Sequence, residues 1–571
     1  MKEKEYMNGI EYPFDSIEVL RKKKTIKRRL DEQSNMIEVR IAILCGSTIG
    51  DIKDVLEIFL LSFGIKVEFH IGQYDRFYED VLFENQELID FKPDIIIIHT
   101  SLRNYNESDL WNKLNAIWYK IHETFKCTII QNNFELPISS FAVDCCEINR
   151  LNVKLAEYAD INKDFYINDI QALSAIIGLN EWFNEHEYYL YKYAFSVKAI
   201  PAFCYNVAKI IKSLYGKNQK CLVLDLDNTL WGGVFGDVGM SGIELGPETA
   251  VGESYLIFQK YVKALHSRGI ILAVCSKNDE DTAREAFKNP NMVLQLDDIA
   301  VFCANWDSKA DNITRIAEKL NIFPDSIVFI DDNPAERELV RSALPEVKVP
   351  EARSALDFIR LIEEAGYFYL TQSSDDDLKR NEYYATDKKR NEIKKNFIDY
   401  GDYLHSLQMK STIAAFDSEH LDRITQLINK TNQFNLTTKR YSQSEVETIS
   451  ADSGYITLYA TLDDKFGSNG IVSAMIAEIE GKNLHIRLWV MSCRVFKRDL
   501  ELSIFDKLIE VSKKSGVKKL TGYYFKTDKN KYVSDLFNDL GFDNVTESIW
   551  EYAVPSDYCY KNKHIQVEKD N

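Results

Sequence analysis

The stretch Cys221-Leu222-Val223-Leu224-Asp225-Leu226-Asp227-Asn228-Thr229 decides how the middle of this chain folds. Four apolar residues in a row fit a strand buried on both faces, as parallel sheets require. Asp225 and Asp227 then stand at its carboxyl end, where open α/β sheets take ligands. The same pattern recurs downstream. Ile270 to Cys275 runs into Ser276-Lys277-Asn278, and Lys309 follows in Trp306-Asp307-Ser308-Lys309. Ile327-Val328-Phe329-Ile330 ends in Asp331-Asp332-Asn333-Pro334. Polar strand tips of this kind are expected to converge on one crevice.

Those residue types suit phosphoryl transfer, in which catalysis is mainly positioning and charge stabilisation. A carboxylate can attack phosphorus and carry an aspartyl-phosphate, provided its repulsion with the phosphate is neutralised. Clustered carboxylates offer hard oxygen ligands for Mg²⁺. Lys309 adds positive charge, while Ser276 and Thr229 can donate to phosphoryl oxygens. Asp227 can protonate a leaving oxygen and then deprotonate water. Exposed loop acids are the bland alternative, weakened by four ordered elements on successive strand ends.

Between Asp225 and Ser276 lie Gly232-Gly233-Val234-Phe235-Gly236-Asp237-Val238-Gly239 and a helix at 253–268. That leaves room for a hairpin flap but not for a separate cap domain. The crevice should stay open to a large or carrier-bound substrate, or need a partner to close it.

The 571 residues predict three or four domains at about 150 residues each. A helical segment is expected over 1–38, with a basic stretch at Arg21 to Arg29 read as a solvated face, or alternatively a phosphate or partner site. Strands alternating with helices predict an α/β domain over 39–215 and a second over 216–355. A helical connector with charge-dense turns, among them Ser373 to Asp377, fits 356–406, and a third α/β domain fits 407–560.

Acidic residues outnumber basic ones by 88 to 70, for a formal charge of −18. This excludes general polyanion binding, which needs a basic surface, so no nucleic-acid partner is expected. Phosphate attraction must therefore be local. Ten cysteines lie scattered from Cys45 to Cys559 without a CxxC pair, which fits a reducing compartment. Met1-Lys2-Glu3-Lys4-Glu5 lacks the apolar core of a leader, and runs such as Val55 to Ile65 are too short for a membrane span. A cytoplasmic protein is expected.

The DLDNT string, Ser276, Lys309 and the Asp331-Asp332 pair, in this order, resemble the four motifs of the haloacid dehalogenase (HAD) superfamily. The resemblance implies Asp225 as nucleophile and Asp227 as general acid/base, with Lys309 completing the catalytic set. It implies Thr229, Ser276 and Lys277 as phosphate-binding residues. Mg²⁺ would be held by Asp225, Asp332, Asp331 and the backbone carbonyl of Asp227.

More narrowly, LDLDNTLWGGV, NWDSKADNI and FIDDNPAERELV are similar to FkbH-like proteins of the HAD-IIIC phosphatase type, over roughly residues 40–555. That resemblance implies removal of phosphate from a phosphoglyceryl donor and loading of the glyceryl group onto an acyl carrier protein as a thioester, in polyketide or surface-polysaccharide assembly. Thioester transfer favours a reactive thiolate. Cys493, with Arg494 and Arg498 nearby, is the candidate, and Cys275 and Cys303 read as core residues.

The C-terminal region resembles the GNAT acyltransferase fold. Val495-Phe496-Lys497-Arg498-Asp499 stands where that fold places glycines for close approach of a pyrophosphate. This departure favours phosphopantetheine or a structural role over acetyl-CoA. The N-terminal region resembles the SGNH hydrolase fold, with Gly46-Ser47-Thr48 at the serine position and His99 to Asn104 near its Asn block. His186 is a candidate base by position only, with a surface histidine as the alternative, and the domain is expected to bind or scaffold rather than to catalyse.

The expected architecture is thus a multidomain α/β protein, with a central Rossmann-like HAD domain bearing a minimal cap between SGNH-like and GNAT-like domains. The leading function is Mg²⁺-dependent phosphoryl and acyl transfer. The alternatives are a phosphosugar phosphatase and a non-catalytic assembly protein.

Overall fold

A computed structural model describes residues 9–32, 36–104, 110–137, 145–352, 354–371 and 378–568. Met1 to Glu5 and Ser373 to Asp377, both read from the sequence, lie outside the described residues. The chain divides into two compact units, Met1–Gly216 with Tyr441–Val446, and Lys217–Arg440 with Glu447–Asn571.

The first unit is built on five parallel strands: β1 (Ile37–Cys45), β2 (Ile65–Ile71), β3 (Ile95–His99), β4 (Thr128–Asn132) and β5 (Phe165–Asn168). Their order is β2-β1-β3-β4-β5. β3 is buried throughout because four successive isoleucines leave it no polar face. The expected N-terminal helix runs Ser16–Leu30, capped by Asp15, whose Oδ1 accepts from Ile17 N and Glu18 N. Part of its basic stretch is committed rather than solvated. Lys23 pairs with Asp51 and Asp54, and Lys27 with Glu57, all on the helix Gly50–Ser62.

The second unit holds two sheets. Four parallel strands, β6 (Cys221–Leu224), β7 (Ile271–Ser276), β8 (Ile299–Ala304) and β9 (Ile327–Ile330), lie in the order β8-β7-β6-β9. Consecutive strands step one way from β6 and then return to its other side. The carboxyl end of β6 is therefore the switch point at which such sheets bind ligands. The segment after β6 closes a small flap, with Gly232 and Glu244 exchanging backbone hydrogen bonds around the short helix Phe235–Val238. No separate cap domain intervenes before the helix Ala250–Ser267.

The remaining strands are β10 (Met409–Ala414), β11 (Phe434–Asn435), β12 (Tyr455–Asp464), β13 (Gly467–Glu480), β14 (Asn483–Met491), β15 (Lys519–Tyr523), β16 (Asp543–Thr546), β17 (Ile549–Ala553) and β18 (Ile565–Glu568). They form one mixed sheet, β16-β17-β15-β14-β13-β12-β10-β18, with β11 against β14. A helix, Leu500–Lys514, connects the parallel pair β14 and β15. This is the third α/β domain that the sequence pattern places over 407–560. Among the described residues, no helix is long and apolar enough to cross a membrane.

Candidate active site at the carboxyl ends of β6 and β9

Register builds this site. Leu224 pairs with Ile330, so the next residue of each strand, Asp225 and Asp331, lie side by side. Asp225 N donates to Ile330 O, which holds the two tips together. Lys309 opens the helix Lys309–Leu320. A lysine opposes the positive end of a helix dipole, so helix formation does not account for it. Its partners do: the buried Nζ lies 3.0 Å from Asp225 Oδ1 and 2.5 Å from Asp331 Oδ2.

Asp225, Asp331 and Asp332 each offer an oxygen within 4.8 Å of the others. Burial raises all three carboxyl pKa values. Lys309 opposes the shift at Asp225, while the Asp225 charge reinforces it at Asp331 and the Asp331 charge does so at Asp332. Asp225 Oδ1 is buried, and the Lys309 ammonium is the positive group beside it. Three crowded acids facing a single lysine fit a hard divalent cation.

Asp227 is held apart from that cluster. Its Oδ1 accepts from Trp231 Nε1 (3.0 Å) and Phe235 N (2.9 Å), and its Oδ2 from Asn278 Nδ2 (3.1 Å). The turn that swings it aside passes through Asn228 at φ 55°, a left-handed conformation that asparagine tolerates. Asn228 Oδ1 accepts from Gly233 N, tying the turn to the flap.

The three residues expected to bind phosphate are placed differently from one another. Ser276, buried at the end of β7, donates to the Asp225 carboxylate. Thr229 is fully buried, and its hydroxyl oxygen accepts from Asp332 N at 3.3 Å. Lys277 Nζ pairs with Glu336 at 2.6 Å. Cys275 and Cys303 are buried, and burial raises both thiol pKa values, as expected of core residues.

Two supporting residues escaped the sequence reading. Asn278 orients Asp227, as above. Arg337 reads as one more charge on a polar helix, yet it is buried, and its Nη1 donates to the carbonyls of both Asp331 and Asp332.

The proposed acyl-transfer residues do not gather into a comparable site. Cys493 is half-buried in a turn after β14, and its carbonyl accepts from Asn321 Nδ2 at 3.4 Å. The Arg494 guanidinium lies over the Tyr383 ring, 4.2 Å from its centroid. Arg498 is buried between Asp387 and Asp464, which Arg390 also bridges. β14 and β15 pair only from Asn483–Lys519 to Ile486–Gly522. Beyond that point the chain fills the space itself: Leu436 N donates to Trp489 O on one side, and Phe525 N to Leu436 O on the other.

A model of the FkbH N-terminal domain matches residues 60–212. Among solved structures, the N-terminal part of the protein BF1531 from Bacteroides fragilis, containing a phosphatase domain complexed with Mg, is 32% identical. That match covers 61% of this chain and 99% of the other, with a TM-score of 0.57. The chain belongs to the FkbH-like family of the HAD superfamily.

Other neighbours of this FkbH-like protein cover about a quarter of it. The ribosomal-protein-S18-alanine N-acetyltransferase from Escherichia coli is 15% identical, covering 27% of this chain and 98% of its own, with a TM-score of 0.21. A GNAT-family acetyltransferase from Streptococcus pneumoniae is 14% identical, covering 26% and 100%, with a TM-score of 0.21. No curated protein matches the chain.

Proposed function

We propose that this FkbH-like protein is a Mg²⁺-dependent phosphatase that dephosphorylates a phosphoglyceryl-type donor and loads the acyl unit onto an acyl carrier protein thiol in the cytoplasm. The observation that supports the phosphatase reading is Lys309 bridging Asp225 and Asp331, with Asp332 alongside and Asp227 held apart.

Asp225, Asp331 and Asp332 would hold Mg²⁺, with the Asp227 carbonyl as a further ligand. Bound there, the ion would offset the repulsion between a carboxylate and a phosphate dianion. An Asp225 oxygen attacks the phosphorus of the donor's phosphate ester as the bond to the alcohol oxygen breaks, and Asp227 delivers the proton to that oxygen. Water then attacks the aspartyl-phosphate, Asp227 takes its proton, and inorganic phosphate leaves Asp225. The thioester forms in a separate step, in which the carrier thiolate attacks the acyl carbon and displaces its acyl phosphate. Lys309 holds positive charge beside the reacting carboxylate throughout, worth about 10²–10³ in rate for one well-placed donor. Ser276, already on Asp225, is placed to turn toward a phosphoryl oxygen. Thr229 acts by fixing the Asp332 backbone, and Lys277 reaches phosphate by releasing Glu336.

A plain phosphatase acting on a phosphosugar or related metabolite is the second reading. The commitment of Arg498 to Asp387 and Asp464 favours it, because that guanidinium is not free to activate Cys493. One experiment separates the two. The protein is incubated with Mg²⁺, bisphosphoglycerate and a carrier protein, while phosphate release and the carrier's intact mass are followed. Release with a glyceryl mass gain supports acyl loading, and release without it selects the plain phosphatase. No release from any phosphoester would sink both.

A further inference from the structure

The carboxyl edge of the first sheet carries a second polar centre. β1 and β3 flank the point where that sheet's strand order reverses. Ser47, just past β1, and His99, the last residue of β3, meet there, with Ser47 Oγ 2.9 Å from His99 Nε2. Both are buried, Ser47 to 4% exposure. The close approach requires Gly46, where a Cβ would lie 2.6 Å from Asn104 Oδ1 and 2.7 Å from His99 O.

The direction of this hydrogen bond decides its chemistry. For His99 to activate a serine, Nε2 must accept, the ring proton must sit on Nδ1, and an acceptor must face Nδ1. The structure places a donor there: Asn132 Nδ2, at 3.1 Å. The orientation of that amide is fixed by its other bonds. The same Nδ2 donates to Thr100 O at 2.9 Å, and Asn132 Oδ1 accepts from Asn168 Nδ2 at 2.8 Å. Asn168 Oδ1 in turn accepts from Asn206 Nδ2 at 2.8 Å. Reversing the Asn132 amide would set its oxygen against the Thr100 carbonyl and its NH₂ against that of Asn168.

Nδ1 therefore accepts, the proton sits on Nε2, and His99 donates to Ser47. The ring packs edge-on against Phe195 and Phe203, and burial holds its pKa down at about 4, so it stays neutral. Every bond then runs one way, from Asn206 to Ser47. The Ser47 hydroxyl proton is left over, and among the described residues nothing accepts it. A buried donor without an acceptor is destabilising, and a chain of aligned bonds polarises its last O–H.

We propose that this edge is a binding site for the carboxylate of a small organic acid, with Ser47 as the terminal hydrogen-bond donor, and that it is not a hydrolase centre. His186, the base suggested by sequence position, is exposed on the helix Glu185–Tyr191. His99 occupies the place beside the serine and is wired in the opposite sense.

The test uses the full chain labelled with ¹⁵N-histidine. Long-range ¹H–¹⁵N spectra should show one buried neutral histidine protonated on Nε2, assigned by its loss in His99→Gln. Acetate should shift that resonance, and Ser47→Ala should abolish the shift while keeping the tautomer. A fluorophosphonate probe should leave Ser47 unlabelled. Asn132→Asp, which puts an acceptor against Nδ1, should make Ser47 reactive to the same probe. A proton on Nδ1, labelling of Ser47 in the unaltered protein, or no acetate shift would overturn the proposal.

Discussion

Lys309 Nζ stands 3.0 Å from Asp225 Oδ1, and the same nitrogen holds Asp331 at 2.5 Å. Three carboxylates crowd this corner, and burial raises the pKa of each. The lysine pKa is raised too, because the two acids outweigh the lowering effect of burial. Lys309→Met should lower phosphate release by about 10²–10³, the usual loss for a preorganised electrostatic partner. Steady-state assays at saturating Mg²⁺ check this.

Arg337 acts one layer further out. Its Nη1 donates to the backbone carbonyls of Asp331 and Asp332, fixing where both carboxylates point. Residues behind the ligands typically cost 10–100-fold in metal affinity or activity when replaced. Arg337→Met should accordingly raise the Mg²⁺ concentration giving half-maximal activity by about that factor. An unchanged Mg²⁺ titration would remove Arg337 from the site.

The C-terminal sheet is fastened to the helix Arg380–Lys394 by charge. Asp464, at the end of β12, accepts from both Arg390 and Arg498, and its side chain is wholly buried. Asp464→Asn leaves two buried guanidinium groups facing one remaining acid, Asp387. Breaking a buried pair in this way costs about 3–5 kcal/mol. Denaturant titration should show a loss of that order.

Stability should also depend on pH through His99. Burial lowers its folded pKa from 6.5 to about 4. Below 6.5 the unfolded chain takes up a proton that the folded chain refuses. This stabilising contribution is therefore complete above pH 6.5 and is lost as pH falls toward 4, by about 3 kcal/mol in all. Glu135, whose pKa is pushed up to about 7 by burial, works in the opposite sense over an overlapping range. The informative quantity is the difference between the unaltered protein and His99→Gln. Thermal melts at pH 7.5 and pH 5 should show the gap between them narrowing on acidification.

The HAD-like site was legible because it rests on local patterns. A fully buried parallel strand is an apolar run that stops at a polar tip, and β6, β7 and β9 each show this in the sequence. What the sequence concealed depends on distant partners. Lys277 reads as a phosphate ligand because it follows Ser276, but the structure pairs it with Glu336. Arg337 reads as a surface charge and is buried by the carbonyls it serves. His99 reads as a strand end, and its wiring depends on Asn132, Asn168 and Asn206, which arrive from later elements. β11 and β16 left no pattern, being two residues long in one case and exposed throughout in the other.

The central claim is that Asp225 is the residue that takes the phosphoryl group. The most direct measurement is peptide mass analysis of protein acid-quenched during turnover with Mg²⁺ and bisphosphoglycerate, after borohydride reduction. Reduction at position 225, absent in Asp225→Asn along with all phosphate release, is the predicted result. Reduction at another residue, or full phosphate release by Asp225→Asn, would contradict it.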